Sequence, residues 1–227
     1  MLTQVKQTKT ISTLLVDDDR QFRAGIRTLL NFSHIQDRAI NVIGEADSLA
    51  LALSFIKQYT PDLILIDIEL IEGDGLSLLQ QLQNSNALSR TLVLSSHQED
   101  YWIYQAMQLG ANGYVFKGQV SQQLLDAIST IMQDQICLPP EVATCFFRKF
   151  QKTQALLPSQ INQPCNLSKR ESDILYWLVQ GASNDEIGKQ LYISVATVKT
   201  HLTNIFLKLN VKNRTQAIVT AIKMNLV

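Results

Sequence analysis

The chain has 227 residues, with 20 Lys and Arg against 20 Asp and Glu and a hydrophobic fraction of 46%. That length holds one large domain or two modest ones, and that composition excludes wholesale disorder. No apolar stretch approaches the ~20 residues of a membrane helix, and the polar start Met1 to Thr10 is unlike a signal peptide, so a cytoplasmic chain without membrane contact is expected. Cys137, Cys145 and Cys165 show no metal-ligand spacing, and their odd number argues against a disulfide framework.

After a flexible tail over 1–10, short apolar runs lie near 11–16, 40–45, 62–67, 91–95 and 112–116. Runs of this kind read as parallel strands buried on both faces. Helical periodicity fills the gaps near 20–31, 48–59, 75–84, 100–109 and 121–134. The five-fold alternation over 11–135 predicts an α/β doubly wound domain on a five-stranded parallel sheet. Pro139-Pro140 ends this regularity, and 136–165 reads as a linker. It is compatible with a short helix from Val142 to Phe150, and its tract from Pro158 to Pro164 is polar.

Residues 166–227 read as a small all-α domain. Ser168-Lys169-Arg170-Glu171 is a capping box opening a helix to Gln180, and Gly181 is placed to stop it. Ser183-Asn184-Asp185-Glu186 is a second capping box, for a short helix ending near Leu191. Ser194 caps a third helix through Leu209, and a fourth fits Arg214 to Met224. Two short helices and a tight turn before a longer one form a helix-turn-helix.

Chemistry in a parallel sheet gathers at the carboxyl ends of its strands. The first run ends in Asp17-Asp18-Asp19, the third in Asp67, the fourth in Ser95 and the fifth in Lys117. These groups are expected to converge. Clustered carboxylates repel unless a cation lies between them, and Mg²⁺ takes oxygen ligands of this kind. One carboxylate would remain as a nucleophile toward a phosphoryl group.

The zero net charge hides an asymmetry. Residues 10–135 carry seven Lys and Arg against 15 Asp and Glu, whereas 166–227 carry eight against four. An acidic half suited to a metal is joined to a basic half suited to nucleic acid. In the third C-terminal helix, Val198, Leu202, Ile205 and Leu209 form the buried stripe. The opposite side carries Ala196, Lys199, Thr200, Thr203 and Asn204, and no acidic residue occurs from Ser194 to Val211. Such a face suits phosphates and base edges of double-stranded DNA. His201 lies at the flank of the stripe and reads as a structural residue.

The motifs together resemble a two-component response regulator of the NarL/LuxR type, a flavodoxin-like receiver followed by a LuxR-type helix-turn-helix. In the first half the resemblance rests on Val16-Asp17-Asp18, Pro61 to Asp67, Gly73-Asp74-Gly75, Leu94-Ser95 and Gly110 through Lys117. In the second half it rests on Leu167 to Glu171, Gly181 to Ile187, Thr197 to His201 and Lys208 to Val211. It implies that Asp67 is the phosphoacceptor and that Asp17 and Asp18 position Mg²⁺ together with Asp67 and the backbone carbonyl of Glu69. Ser95 is the implied switch hydroxyl, Tyr114 the switch aromatic that swings inward, and Lys117 the contact to the phosphoryl oxygens. The DNA-binding set it implies is Thr197, Lys199, Thr200, Thr203 and Asn204, with Lys208 and Lys212 toward the DNA backbone. The implied partners are a sensor histidine kinase, promoter DNA and a second copy of the chain, paired on DNA through the helix Arg214 to Met224. The receiver is expected to mask the recognition helix until phosphorylation.

The chain departs from the pattern at Ile71, where proline is usual, at Glu72 and Gly73, where small or apolar residues are, and at Gly118, another common proline. Ser95 replaces the commoner threonine, and Leu207 stands where a polar or basic residue is frequent. None of these removes a reacting group. The alternatives are a regulator that ignores phosphate, an aspartyl phosphatase suggested by Asp67-Ile68-Glu69, and a receiver used only to bind protein.

Overall fold

The computed structural model describes residues 10–85, 88–138, 140, 142–144, 166–224 and 226–227. The expected tail lies almost wholly outside them, as do most of the linker and of the helix at Val142 to Phe150; residues 142–144 are helical.

The first half alternates β1 (Ile11–Val16), α1 (Arg20–Asn31), β2 (His34–Ile35), β3 (Arg38–Ala46), α2 (Leu49–Tyr59), β4 (Leu63–Ile66), α3 (Gly75–Asn84), β5 (Arg90–Ser95), α4 (Asp100–Gln108), β6 (Gly113–Phe116) and α5 (Val120–Met132). The sheet order is β2-β3-β1-β4-β5-β6. Five strands pair in parallel, as expected, but the sheet has six. The addition is β2, which pairs antiparallel with β3 through a turn at Gln36 and Asp37, both at positive φ. This corrects the five-stranded expectation.

Alternation along the strands splits the core in two. Leu14, Val16, Ile64, Ile66 and Val93 face α2, α3 and α4. Leu15, Leu63, Leu65, Leu92 and Leu94 face α1 and α5. Successive side chains of a strand point to opposite faces, so a sheet covered on both sides needs continuous apolar runs.

The second half has α6 (Lys169–Val179), α7 (Asn184–Leu191), α8 (Val195–Leu209) and α9 (Arg214–Lys223). Both capping boxes form, at Ser168/Glu171 and Ser183/Glu186, and the Ser194 hydroxyl accepts from Thr197 N–H. Gly181 takes φ +85°, the left-handed conformation that ends α6. Val198, Leu202, Ile205 and Leu209 pack with Ile174, Leu178 and Ala217 in a core of their own.

The halves touch. On α9, Gln216 Nε2 donates to the Gln108 carbonyl at the end of α4 (2.8 Å), and Thr215 Oγ1 donates to the Ala111 carbonyl (3.4 Å). Val219 of α9 joins the core cluster of the first half beside α4. Asn213 fits against Gly110, at φ +95°, where a Cβ would come within 2.7 Å of Asn213 Nδ2.

Candidate functional site

Four strand ends build the site. Asp17 follows β1 and Asp67 follows β4, and their backbones continue the sheet ladder: Asp67 N–H donates to the Val16 carbonyl and Asp17 N–H to the Ala46 carbonyl. Ser95 ends β5, and Lys117 follows β6. Lys117 Nζ stands 2.6 Å from Asp67 Oδ2 and 2.8 Å from Asp17 Oδ2. The Lys117 ammonium thus bridges the two carboxylates. One carboxylate oxygen from each of Asp17, Asp18 and Asp67 lies within 4.8 Å of the others. This is a fitting oxygen donor set for a hard divalent cation.

Asp19 does not join them. Its carboxylate caps α1, accepting from Gln21 and Phe22 N–H. The loop after Asp67 is fixed by Gly73-Asp74-Gly75: Gly73 takes φ +85°, Asp74 caps α3 by accepting from Ser77 N–H (2.7 Å), and a side chain at Gly75 would run into the Asp67 carbonyl. Glu69 N–H donates to Asp67 Oδ1 (3.3 Å), while its side chain turns out to His97 Nε2 (2.9 Å).

Burial drives the Asp17 and Asp67 carboxyls above the ordinary carboxylate value, with Lys117 opposing the shift. Burial alone would lower the Lys117 pKa, but its bonds to Asp17 and Asp67 outweigh that and hold it above normal. The lysine therefore stays charged, and its cation also lies 4.5 Å from the Phe22 ring centroid.

Ser95 is fully buried, and its Oγ accepts from His97 N–H (3.1 Å). Tyr114 is also fully buried, and its hydroxyl donates to the His97 carbonyl (2.9 Å). Burial pushes the Tyr114 phenol up to about 12. The ring lies inside the core in this structure, and both groups hold His97 at the start of the segment leading into α4.

On α8, Thr197, Lys199, Thr200, Thr203 and Asn204 are all exposed. The Thr200 and Thr203 hydroxyls donate back to the Ala196 and Lys199 carbonyls, and the Thr197 hydroxyl pairs with Ser194 Oγ. Lys208 and Lys212 stand apart from this face. Lys208 Nζ donates to the buried Glu171 carboxylate (2.7 Å) and the Asn166 carbonyl, pinning α8 to α6. That hydrogen bond, ahead of a smaller opposing effect of burial, holds the Glu171 carboxyl below its usual range. Lys212 Nζ reaches Asn84 Oδ1 on α3 (3.1 Å).

Residues 13–129 match the family model of the response regulator receiver domain, and residues 165–221 match that of the bacterial regulatory proteins of the luxR family. Response regulator protein VraR of Staphylococcus aureus is 32% identical over 218 residues, 96% of this chain and 99% of that protein. This chain belongs to the LuxR-family response regulators. Among solved structures, the response regulator ChrA of a heme-sensing two-component system is 34% identical, with a TM-score of 0.51 over 96% of this chain and 99% of that one. RcsB of Salmonella enterica serovar Typhimurium, solved on the promoter rprA with a phosphomimetic, shares the fold at 20% identity, with a TM-score of 0.52 over 93% and 98% of the two chains.

Sequence reasoning missed several residues of this response regulator. Arg23 donates to the Asp17 carbonyl and pairs with Glu45 (3.1 Å), bracing the acidic turn; only its helical spacing from Asp19 hinted at this. His97 stacks on Trp102 at 4.8 Å between centroids, in a loop without a local signature. Asp134, just past α5, contacts the second domain at Asn184 Nδ2 (3.0 Å). Among the described residues no helix is long and apolar enough to cross a membrane.

Proposed function

We propose that this response regulator takes a phosphoryl group on Asp67 and that the modification frees its C-terminal domain to bind promoter DNA as a dimer. The domain division stays as read from sequence, a receiver over 11–135, a linker over 136–165 and a DNA-binding domain over 166–227. The observation that carries the proposal is the Asp67–Lys117–Asp17 cluster, in which an acceptor carboxylate already faces a fixed cation.

An Asp67 carboxylate oxygen attacks phosphorus in the phosphohistidine of a sensor kinase, or in a small acyl phosphate. The bond from phosphorus to the donor breaks, and the donor leaves with its electron pair. Asp17, Asp18, Asp67 and the Glu69 carbonyl would hold Mg²⁺, which when bound neutralises charge on the phosphoryl oxygens. Lys117, still protonated, moves its charge from the Asp67 carboxylate to the new phosphoryl group.

Ser95 then turns its hydroxyl toward the phosphoryl oxygens and releases His97 N–H. His97 and Trp102 lead into α4, on which α9 is docked through Gln108 and Gln216. This route gives the phosphate a grip on the interdomain contact without a swing of Tyr114. The face that would meet DNA is Thr197, Lys199, Thr200, Thr203 and Asn204, already exposed to solvent, and undocking takes the receiver's Asp134 away from beside Lys199. With their hydroxyls turned back to the helix, Thr200 and Thr203 present methyl groups suited to thymine, and Lys199 reaches a guanine edge.

The presence of every pocket group supports this reading over a regulator that ignores phosphate. The test is incubation with a small acyl phosphate and Mg²⁺, read by intact mass. One phosphoryl group per chain is expected, and none on Asp67→Asn. Equal uptake by that variant removes Asp67 as acceptor.

A further inference from the structure

The contact between the receiver and the DNA-binding domain has an electrostatic centre. Asp134 stands just beyond α5, its carboxylate 28% exposed, and Arg90 Nη2 holds Oδ1 at 2.5 Å. The other oxygen, Oδ2, points into the second domain. It accepts from Asn184 Nδ2 at 3.0 Å and lies 3.9 Å from Lys199 Nζ.

Asn184 is 6% exposed in this closed arrangement. Its orientation is set from behind: Arg214 Nη1 faces Asn184 Oδ1 at 3.4 Å, and Arg214 Nη2 donates to the Ala182 carbonyl. With Oδ1 turned to a guanidinium, Nδ2 must point outward as a donor. Burial pulls the Arg214 guanidinium down to about 10, with Asp134 and Glu186 opposing, and Arg214 Nε has no acceptor. Two cations and an oriented amide donor thus converge where one carboxylate is seated. These groups are contributed by α7, α8 and α9, and a gap of about 250 Å³ lies beside them, lined also by Thr203 of the recognition face. A carboxylate and a backbone phosphate present the same chemistry here, an anionic oxygen that accepts from N–H donors.

We propose that Asn184, oriented by Arg214 and flanked by Lys199, is an anion site for a DNA backbone phosphate, and that Asp134 fills it in the closed molecule. This rests on the DNA-binding reading above and adds to it the group through which receiver and DNA exclude one another. Lys199 has a long stem and 59% exposure, so its ammonium, beside Asp134 in the closed molecule, can swing to the groove once DNA is bound.

The test uses the full chain and a duplex of mixed sequence, because a phosphate contact is blind to sequence. Asp134 sits at φ +61°, a conformation glycine adopts without cost, so Asp134→Gly removes the carboxylate and keeps the turn. Affinity of the unphosphorylated Asp134→Gly chain should rise about tenfold, as expected for loss of a competing charged hydrogen bond, with phosphorylated affinity unchanged. Asp134→Asn keeps the shape and should give a smaller gain. Asn184→Ala should weaken the phosphorylated protein several-fold on all sequences while leaving the salt slope intact, because no charge is lost. If phosphorylation still switches binding but Asp134→Gly leaves unphosphorylated affinity unchanged, Asp134 is not the occupant. A phosphorylated Asn184→Ala that binds like wild type removes the phosphate site. Absence of duplex binding in either state removes the DNA-binding reading together with this one.

Discussion

Lys117 Nζ lies 2.6 Å from Asp67 Oδ2, so the proposed acceptor carboxylate already has a counter-charge. Removing the lysine leaves Asp17 and Asp67 buried without a cation. Lys117→Ala should therefore cost about 3 kcal/mol in urea unfolding, as breaking a buried pair does. Adding Asp67→Asn to that variant should recover part of the loss. Independent, additive effects would show that the pair is not coupled.

Asp67 and Asp17 both titrate above 3.8 because of burial. The folded chain then binds these protons more tightly than the unfolded chain. The stability they lend is complete below that value and is lost as pH rises through the folded values. Without divalent cation, wild type should lose stability relative to Asp67→Asn just above pH 3.8, and Mg²⁺ at neutral pH should restore it. Parallel stability curves for the two proteins across that window, or no effect of Mg²⁺, would count against the shared pocket.

Lys208 separates a structural role from a DNA role. Its ammonium satisfies the Glu171 carboxylate, which is 5% exposed, and it is itself 41% exposed. Lys208→Ala should lower the stability of the C-terminal domain by about 1 kcal/mol, a charged hydrogen bond discounted for solvent. The salt slope of DNA binding should barely change. A drop of about one unit in that slope, with stability intact, would return Lys208 to the DNA backbone.

The cluster of Asp17, Asp67 and Lys117 was legible because its members follow apolar runs, and in a parallel sheet the ends of such runs meet. Asp19 illustrates the limit: it belongs to the same acidic triplet, yet its position before α1 makes it a cap. Strand β2 was not legible, because Gln36-Asp37 gives no glycine or asparagine signal for a turn with positive φ at both residues. Lys208 was expected toward the DNA backbone, and its four-carbon stem reaches Glu171 on α6, a contact that no local pattern encodes. Asp134 was silent as well. Its partner Asn184 is 50 residues away across the linker, and no local pattern encodes a contact between domains.

Lys199→Ala should cost roughly 1–3 kcal/mol in DNA affinity and relax specificity at one base pair per half-site if its tip reads a guanine edge. A salt titration on specific and scrambled duplexes decides this. Equal losses on both duplexes, with the slope lowered by about one unit per monomer, would place Lys199 on the phosphates.

Residues 160–227 contain a core of their own around Ile174, Val198, Leu202 and Ala217. Released from α4 and Asp134, this piece should bind duplex DNA without phosphate. A folded fragment that binds only when the receiver is attached would show that the receiver supplies dimerisation rather than a mask.

The central claim is that phosphate on Asp67 releases the DNA-binding domain from its contacts with α4 and Asp134. The direct measurement is the DNA affinity of the full chain by fluorescence anisotropy, with and without an acyl phosphate donor and Mg²⁺, for wild type and Asp67→Asn. Wild type should gain tenfold or more, about 1.4 kcal/mol per tenfold, and Asp67→Asn should gain nothing. Equal affinity of phosphorylated and unphosphorylated wild type, with phosphorylation verified by mass, would contradict it.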